Sequence, residues 1–419
     1  MGEPEDEDTV TNVVEGSKAS GYVEPGFEGV RQAFDDNFAE HGEVGAAVSV
    51  YVEGRKVVDL WGGTTDVDGD TPYDEDTLQL VFSTTKGVTA LCANLLVQRG
   101  LLDVDAPVAE YWPEFAAAGK ADVPVRWLLC HKVGLPYVDA DLTLEQVLAW
   151  DPVVDALAAM EPVWEPGSGH GYHAVTYGWL VGEVIRRITG RSVGQFVADE
   201  LAAPLGLDFW VGLPDEKQSL VAPLTNRGPR NGSAPEQPGE GKDLAQMITE
   251  ALGPDALVLK ALGGVPGLLI QEGMFNRPEV RAAELPAANG VGNARSLARL
   301  YAAVIGEVEH DGAVVGPLLT PEQIAAAVEV QTSGPDKVLL FETVFGLGFM
   351  ISSPFSPYGG ARGFGHSGAG GSMAFADPDN GVAFGYVMNR MLANLAGDPR
   401  TTGLVGAVYD AIGVTPTFV

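Results

Sequence analysis

Val81-Phe82-Ser83-Thr84-Thr85-Lys86-Gly87-Val88-Thr89-Ala90 places a serine at the start of a helix-like run and a lysine three residues later. Positions i and i+3 share one face of a helix, so Ser83 and Lys86 are expected to point into the same space. A serine near a helix N-terminus also meets unpaired N–H groups and the positive end of the dipole, which favour developing negative charge. Its hydroxyl needs a base to become a nucleophile, and a desolvated lysine can be that base. Taken alone, Ser-x-x-Lys also fits a serine N-cap with a surface lysine. The flanks favour the catalytic reading. Leu78-Gln79-Leu80-Val81-Phe82 is mostly apolar, and Leu91, Leu95, Leu96 and Leu102 mark a buried helix. Burial of that helix lowers the pKa of its lysine.

Upstream, residues 25–41 carry Phe27, Val30, Phe34 and Phe38 at helical spacing. The runs 45–52 and 56–61 read as strands joined by a hairpin turn at Glu53-Gly54-Arg55. Residues 1–24 read as a flexible acidic tail. Downstream, the period is mainly helical over 126–284. Within it, 226–242 (NRGPRNGSAPEQPGEGK) is polar and rich in Gly and Pro, and reads as a mobile loop. A helix follows from Arg295. Strands are expected at 345–351, 363–366, 373–377 and 382–388, and a last helix at about 401–412. Strands at both ends with helices between them predict an α+β fold. Residues 25–125 and 285–419 form a sheet subdomain, and 126–284 is an inserted helical one.

The 419 residues allow two such lobes, and a 46% hydrophobic composition is that of a globular chain. The formal net charge is −32, from 57 acidic and 25 basic residues, only 9 of them lysine. Such a field repels nucleic acid and anionic membranes, so neither is an expected partner. An acidic, lysine-poor surface also suggests a high-salt cytoplasm, where screening makes self-repulsion tolerable. The start, MGEPEDED, lacks the apolar run of a secretory signal. No stretch approaches the roughly 18 apolar residues that span a bilayer. A cytoplasmic location is the expectation. Cys92 and Cys130 lie in separate apolar runs and read as buried thiols rather than a disulfide.

Tyr172 follows a glycine-rich turn, Pro166-Gly167-Ser168-Gly169-His170-Gly171, and precedes a helix. A phenol there can project into a cleft. Beside a lysine ammonium its pKa is expected to fall, which makes it a proton relay. The glycines lack the P-loop ending and the Rossmann spacing. His170 and His173, three apart, have no clear third ligand, so no metal and no cofactor is assigned. A further part is Gly365-His366-Ser367-Gly368-Ala369-Gly370-Gly371, between two late strands. Small residues there let an edge strand approach a substrate, and a backbone N–H can hold an oxyanion. The stretch comes close to the nucleophile elbow G-x-S-x-G, but Ala369 replaces the last glycine. In that fold a histidine follows the nucleophile, whereas His366 is the last histidine here.

Ser83-x-x-Lys86, Tyr172-His173-Ala174 and His366-Ser367-Gly368, in this order, resemble the motif set of the serine β-lactamase and penicillin-binding-protein superfamily. More narrowly they resemble the class C β-lactamase-like, family VIII carboxylesterases. Cys130-His131-Lys132-Val133-Gly134-Leu135-Pro136 is also similar to that family, and the likeness spans roughly residues 25 to 415. The resemblance implies a β-lactamase/transpeptidase-like fold, an antiparallel sheet flanked by helices with a cleft beside a helical subdomain. It implies Ser83 as the acylated nucleophile, Lys86 as its proton acceptor or the group that holds it, and Tyr172 as proton relay, with either Lys86 or Tyr172 as the acylation base. The oxyanion hole would be the N–H groups of Ser83 and Ala369. His366, Ser367, Gly368 and His173 are expected to contact substrate.

Two departures bear on the substrate. Lactam-cleaving members usually carry lysine where this chain has His366, and class C enzymes carry Asn where it has Ala174. Both changes remove polar handles for an anionic amide. The expected activity is therefore hydrolysis of small-molecule carboxylic esters. The rivals are a β-lactamase or D-amino-acid peptidase using the same residues, and a non-catalytic scaffold.

Overall fold

The computed structural model describes residues 18–228, 244–265, 273–310, 312–393 and 397–417. The loop expected at 226–242 lies mostly outside them. Nine strands build the main sheet: β1 (Ala19–Val23), β2 (Gly45–Val52), β3 (Arg55–Gly63), β4 (Thr332–Pro335), β5 (Glu342–Phe345), β6 (Met350–Ile351), β7 (Phe364–Ser367), β8 (Met373–Asp377) and β9 (Val382–Met388). Their order is β1-β3-β2-β9-β8-β7-β6-β5-β4, with every neighbouring pair antiparallel. The two ends of the chain meet at β2 and β9, where Ala46 faces Met388 and Val52 faces Val382.

The β2–β3 hairpin turns through Glu53 and Gly54, both at positive φ (52° and 75°). That is the turn whose twist matches the strands, and glycine adopts it without steric cost. Two expectations change. Ala19–Val23 is not tail but the edge strand β1, paired with β3 from Ala19↔Gly62 to Val23↔Val58. The strand expected over 345–351 is two strands. Phe345 pairs with Met350 across a tight turn in which Gly348 has φ 89°.

Five helices position the rest: α1 (Glu28–Glu40), α2 (Thr85–Gln98), α3 (Thr176–Thr189), α4 (Ala294–Ile305) and α5 (Pro399–Ala411). Central β9 is buried along its whole length, so both faces of the sheet are covered. Gly385 faces α4. Its neighbour Tyr386 points to the opposite face, as strand alternation requires. There its hydroxyl donates to Glu43, which also pairs with Arg400 of α5. Asp398 holds the same guanidinium at 2.8 Å, and the Glu43 and Arg400 side chains are fully buried. Removing one partner of a buried ion cluster leaves an uncompensated charge. Arg400→Met is expected to cost about 3–5 kcal/mol of stability, read as a lower urea midpoint. An unchanged midpoint would show that the cluster stabilises nothing.

The described residues between 125 and 282 are mainly helical. A small sheet of Gln79–Leu80, Val291–Gly292 and Phe209–Trp210 joins this region to the start of α2. From there the chain runs through Val81, whose N–H donates to Gly290 O, and turns sharply at Phe82, a non-glycine residue at φ 43°. Such a conformation persists only where surroundings enforce it. It delivers Ser83 to the mouth of α2. That helix is buried continuously from Thr85 to Leu96. Val88, Leu91, Leu95 and Leu96 contribute about 2 kcal/mol each by burial. Keeping an ordinary lysine neutral at pH 7 costs about 5 kcal/mol, so the helix can carry a desolvated amine. Among the described residues no helix is long and apolar enough to cross a membrane.

Candidate active site

Lys86 is completely buried. Its Nζ donates to the carbonyls of Ala174 (2.6 Å) and Ala287 (2.9 Å) and lies 3.0 Å from Ser83 Oγ. Carbonyl oxygens only accept, so these two contacts consume two N–H bonds. A neutral amine then has its lone pair left for the serine hydroxyl. Burial drives the Lys86 pKa well below that of an ordinary lysine. Its Nζ sits 4.8 Å from the centre of the Tyr172 ring.

Tyr172 borders the same cleft as Ser83. Its pKa moves opposite to the sequence expectation. Burial raises it, outweighing the lowering influence of the nearby Ser83 hydroxyl, so the phenol stays protonated. The lysine beside it is itself desolvated and supplies no ammonium strong enough to reverse this.

His366 ends 3.5 Å from the Tyr172 hydroxyl through Nε2. Its Nδ1 is 2.7 Å from Ser367 O, a carbonyl that must accept. The proton therefore sits on Nδ1, and Nε2 offers a lone pair towards the phenol. Burial first, then Lys86, push the His366 pKa down to about 3, so the ring is neutral. Ser367 Oγ is 3.0 Å from the Tyr358 hydroxyl.

The turn after β7 is stitched to the start of α2. Ser372 Oγ donates to Val81 O at 2.8 Å and lies 3.1 Å from Thr84 Oγ1. Ser83 and Ala369 thus border one cleft, together with His366, Ser367 and Gly368. Among the described residues, the N–H groups of Ser83 and Ala369 donate to no protein acceptor.

His173 is a correction. It does not border the cleft. Its Nδ1 donates to Gly171 O (2.7 Å) and its Nε2 accepts from Leu135 N (2.9 Å), so both ring nitrogens hold backbone. It stacks on His131 inside the core, and burial lowers its pKa to about 3. Cys92 and Cys130 are buried free thiols.

Apolar walls complete the cleft. Leu339 and Phe341 stand on one loop and Phe355 on another, with the Phe341 and Phe355 rings 5.3 Å apart. Among the described residues no lysine or arginine lines it, and the one carboxylate that does, Asp398, is paired with Arg400. Sequence reasoning did not find Tyr358, which meets Ser367 from within the core, or Asp398 and these walls, because no local pattern marks a residue that reaches a site only through the fold.

The profile of the family described as Beta-lactamase matches residues 30–407. This chain belongs to that family. Among its relatives is the Esterase/beta-lactamase LipL of Mycobacterium tuberculosis, 35% identical over 391 residues that cover 91% of this chain and 85% of that protein. A crystal structure of a family VIII carboxylesterase is 36% identical, with TM-score 0.82, over 94% of this chain and 99% of the other. A penicillin-binding protein homolog from Caulobacter crescentus is 38% identical, with TM-score 0.79, over the same shares. This β-lactamase-family chain is accordingly a serine hydrolase with the β-lactamase/transpeptidase α+β fold.

Proposed function

We propose that the chain hydrolyses small-molecule carboxylic esters through an acyl-enzyme on Ser83. One observation carries this: a fully buried lysine whose two N–H bonds are spent on carbonyls and whose remaining position faces the Ser83 hydroxyl. Neutral Lys86 takes the Ser83 proton as Oγ attacks the ester carbonyl. The N–H groups of Ser83 and Ala369 hold the resulting oxyanion. Tyr172, kept protonated, gives its proton to the departing alcohol and recovers one from the Lys86 ammonium. Water then attacks the acyl-enzyme with the same groups working in reverse, and the products are a carboxylic acid and an alcohol. A fluorophosphonate probe should label Ser83 in the folded protein. Absence of label would leave a non-catalytic member of the fold.

The cleft favours an ester over a carboxylate-bearing lactam. Among the described residues no lysine or arginine lines it, and His366 is neutral, so they offer an anionic substrate no cationic partner. The excess of acidic residues adds repulsion. The relative named both esterase and β-lactamase keeps the second activity in view. For the wild type, kcat/KM on p-nitrophenyl butyrate is expected to exceed that on nitrocefin by about 100-fold. Equal values would favour the lactamase reading. The charge of −32 further supports operation at high salt, where repulsion between surface carboxylates is screened.

A further inference from the structure

Asp336 is a buried carboxylate, 2% exposed, with no part in the scheme above. Its Oδ1 accepts three backbone N–H groups, from Tyr172 (3.0 Å), Val338 (2.8 Å) and Leu339 (2.9 Å). Its Oδ2 accepts the Thr343 hydroxyl at 3.2 Å, and Thr343 Oγ1 lies 2.8 Å from His170 Nε2. A second tie runs beside it, from Lys337 N to His170 O at 3.0 Å. The two segments touch closely. A Cβ on Gly171 would come within 2.9 Å of Trp164 and 3.1 Å of Lys337 and Val338. Residues 170–172 and 336–341 are therefore held as one body. That body presents two things to the cleft, the phenol of Tyr172 and the apolar wall of Leu339 and Phe341.

Tyr172 protonates the leaving alcohol, so the wall fixed to it stands on the alcohol side of the scissile bond. An apolar alcohol seated on Leu339 and Phe341 brings its ester oxygen to the phenol. We propose that Asp336 is a positioning residue that couples recognition of an apolar leaving alcohol to its protonation. The substrate class narrows to esters of apolar alcohols, and specificity resides in the alcohol rather than the acyl half. This inference rests on the ester-hydrolase reading with Tyr172 as proton donor.

The test uses leaving groups that differ in their need for a proton. p-Nitrophenolate departs unprotonated at neutral pH, whereas a hexyl alkoxide must be protonated as it leaves. Asp336→Asn keeps the shape but cannot serve all four donors. Since kcat/KM reports the steps through alcohol release, it is compared for hexyl butyrate and p-nitrophenyl butyrate. The variant is expected to lose about 100-fold on hexyl butyrate and less than about 5-fold on the p-nitrophenyl ester. The wild-type preference for hexyl over ethyl butyrate should shrink with it. A merely structural role lowers both esters equally, and that outcome, or no change, overturns the proposal. Thr343→Val, which removes one donor to the carboxylate, should show a smaller loss with the same selectivity. It decides the matter if Asp336→Asn does not fold. A wild type that forms no acyl-enzyme on Ser83 from either ester would instead sink the ester-hydrolase reading, so the two failures are distinguishable.

Discussion

Ser83→Ala is expected to lower p-nitrophenyl butyrate hydrolysis by about 10⁴-fold or more, with an unchanged melting temperature. The hydroxyl caps no helix N–H, and the turn into α2 is held by neighbours, so its loss removes chemistry and not structure. The phenol, the amine and the two free N–H groups remain, yet none can form the acyl bond. Residual rate then reflects only binding and oxyanion stabilisation of a water attack. Assays in low and in multimolar potassium chloride separate a second point. The wild type should be active mainly at high salt, because 57 carboxylates against 25 cations repel one another in dilute buffer. Equal rates for wild type and variant would remove Ser83 as nucleophile. Wild-type activity that ignores salt would remove only the high-salt reading.

Replacing Lys86 by methionine or arginine is expected to slow acylation by about 10³-fold. Methionine has no proton acceptor, and arginine keeps its proton at every working pH. The pH profile gives the sharper test. In the proposed scheme Lys86 serves as base only when neutral, so activity should be present above its pKa and lost as pH falls through it. Burial places that pKa well below the ordinary lysine value, so activity should already be high at neutral pH. His366, pushed down to about 3, and Tyr172, raised by burial, do not change charge between pH 5 and 9. The acid limb of kcat/KM in that range should therefore belong to Lys86. A wild-type rate that rises only near pH 10, as for an exposed amine, would rule out a neutral lysine base.

Much of this was legible because it is local. The hairpin after Val52 and strands β8 and β9 follow from alternation and turn residues, and α2 from its leucine spacing. Ser83 and Lys86 are one helical turn apart, so spacing alone brings them together. Elements without local signal were misread. β1 is hidden in an acidic stretch, since its pairing partner β3 lies some forty residues away. β5 and β6 looked continuous because Gly346 and Gly348 sit among apolar residues. The Tyr172 shift had the wrong sign because a sequence shows which charge is near but not how dry the site is. His173 looked like a cleft residue from adjacency, but the chain turns its ring inward onto backbone. Asp336 is a lone acid in a loop. The role proposed for it rests on folding that sets it against Tyr172, across 164 residues of sequence.

The β2–β9 pairing has a consequence for how the molecule comes into being. Ala46 and Met388 are partners, so the central seam of the sheet cannot close until residue 388 has left the ribosome. Non-local pairing of this kind makes folding slow, since loop closure precedes any stabilising contact. Until then the β1–β3–β2 ribbon offers β2 as an open, apolar edge, a template for pairing with other chains. The surplus of carboxylates is expected to oppose association of nascent chains by repulsion during that interval. Catalytic competence arrives equally late. Ser83 and Lys86 are synthesised early, but the strand that carries His366 can dock beside them only once β8 and β9 have completed the sheet. A chain cut short before residue 388 is therefore expected to be inactive and prone to self-association, because it lacks part of the seam that builds the cleft.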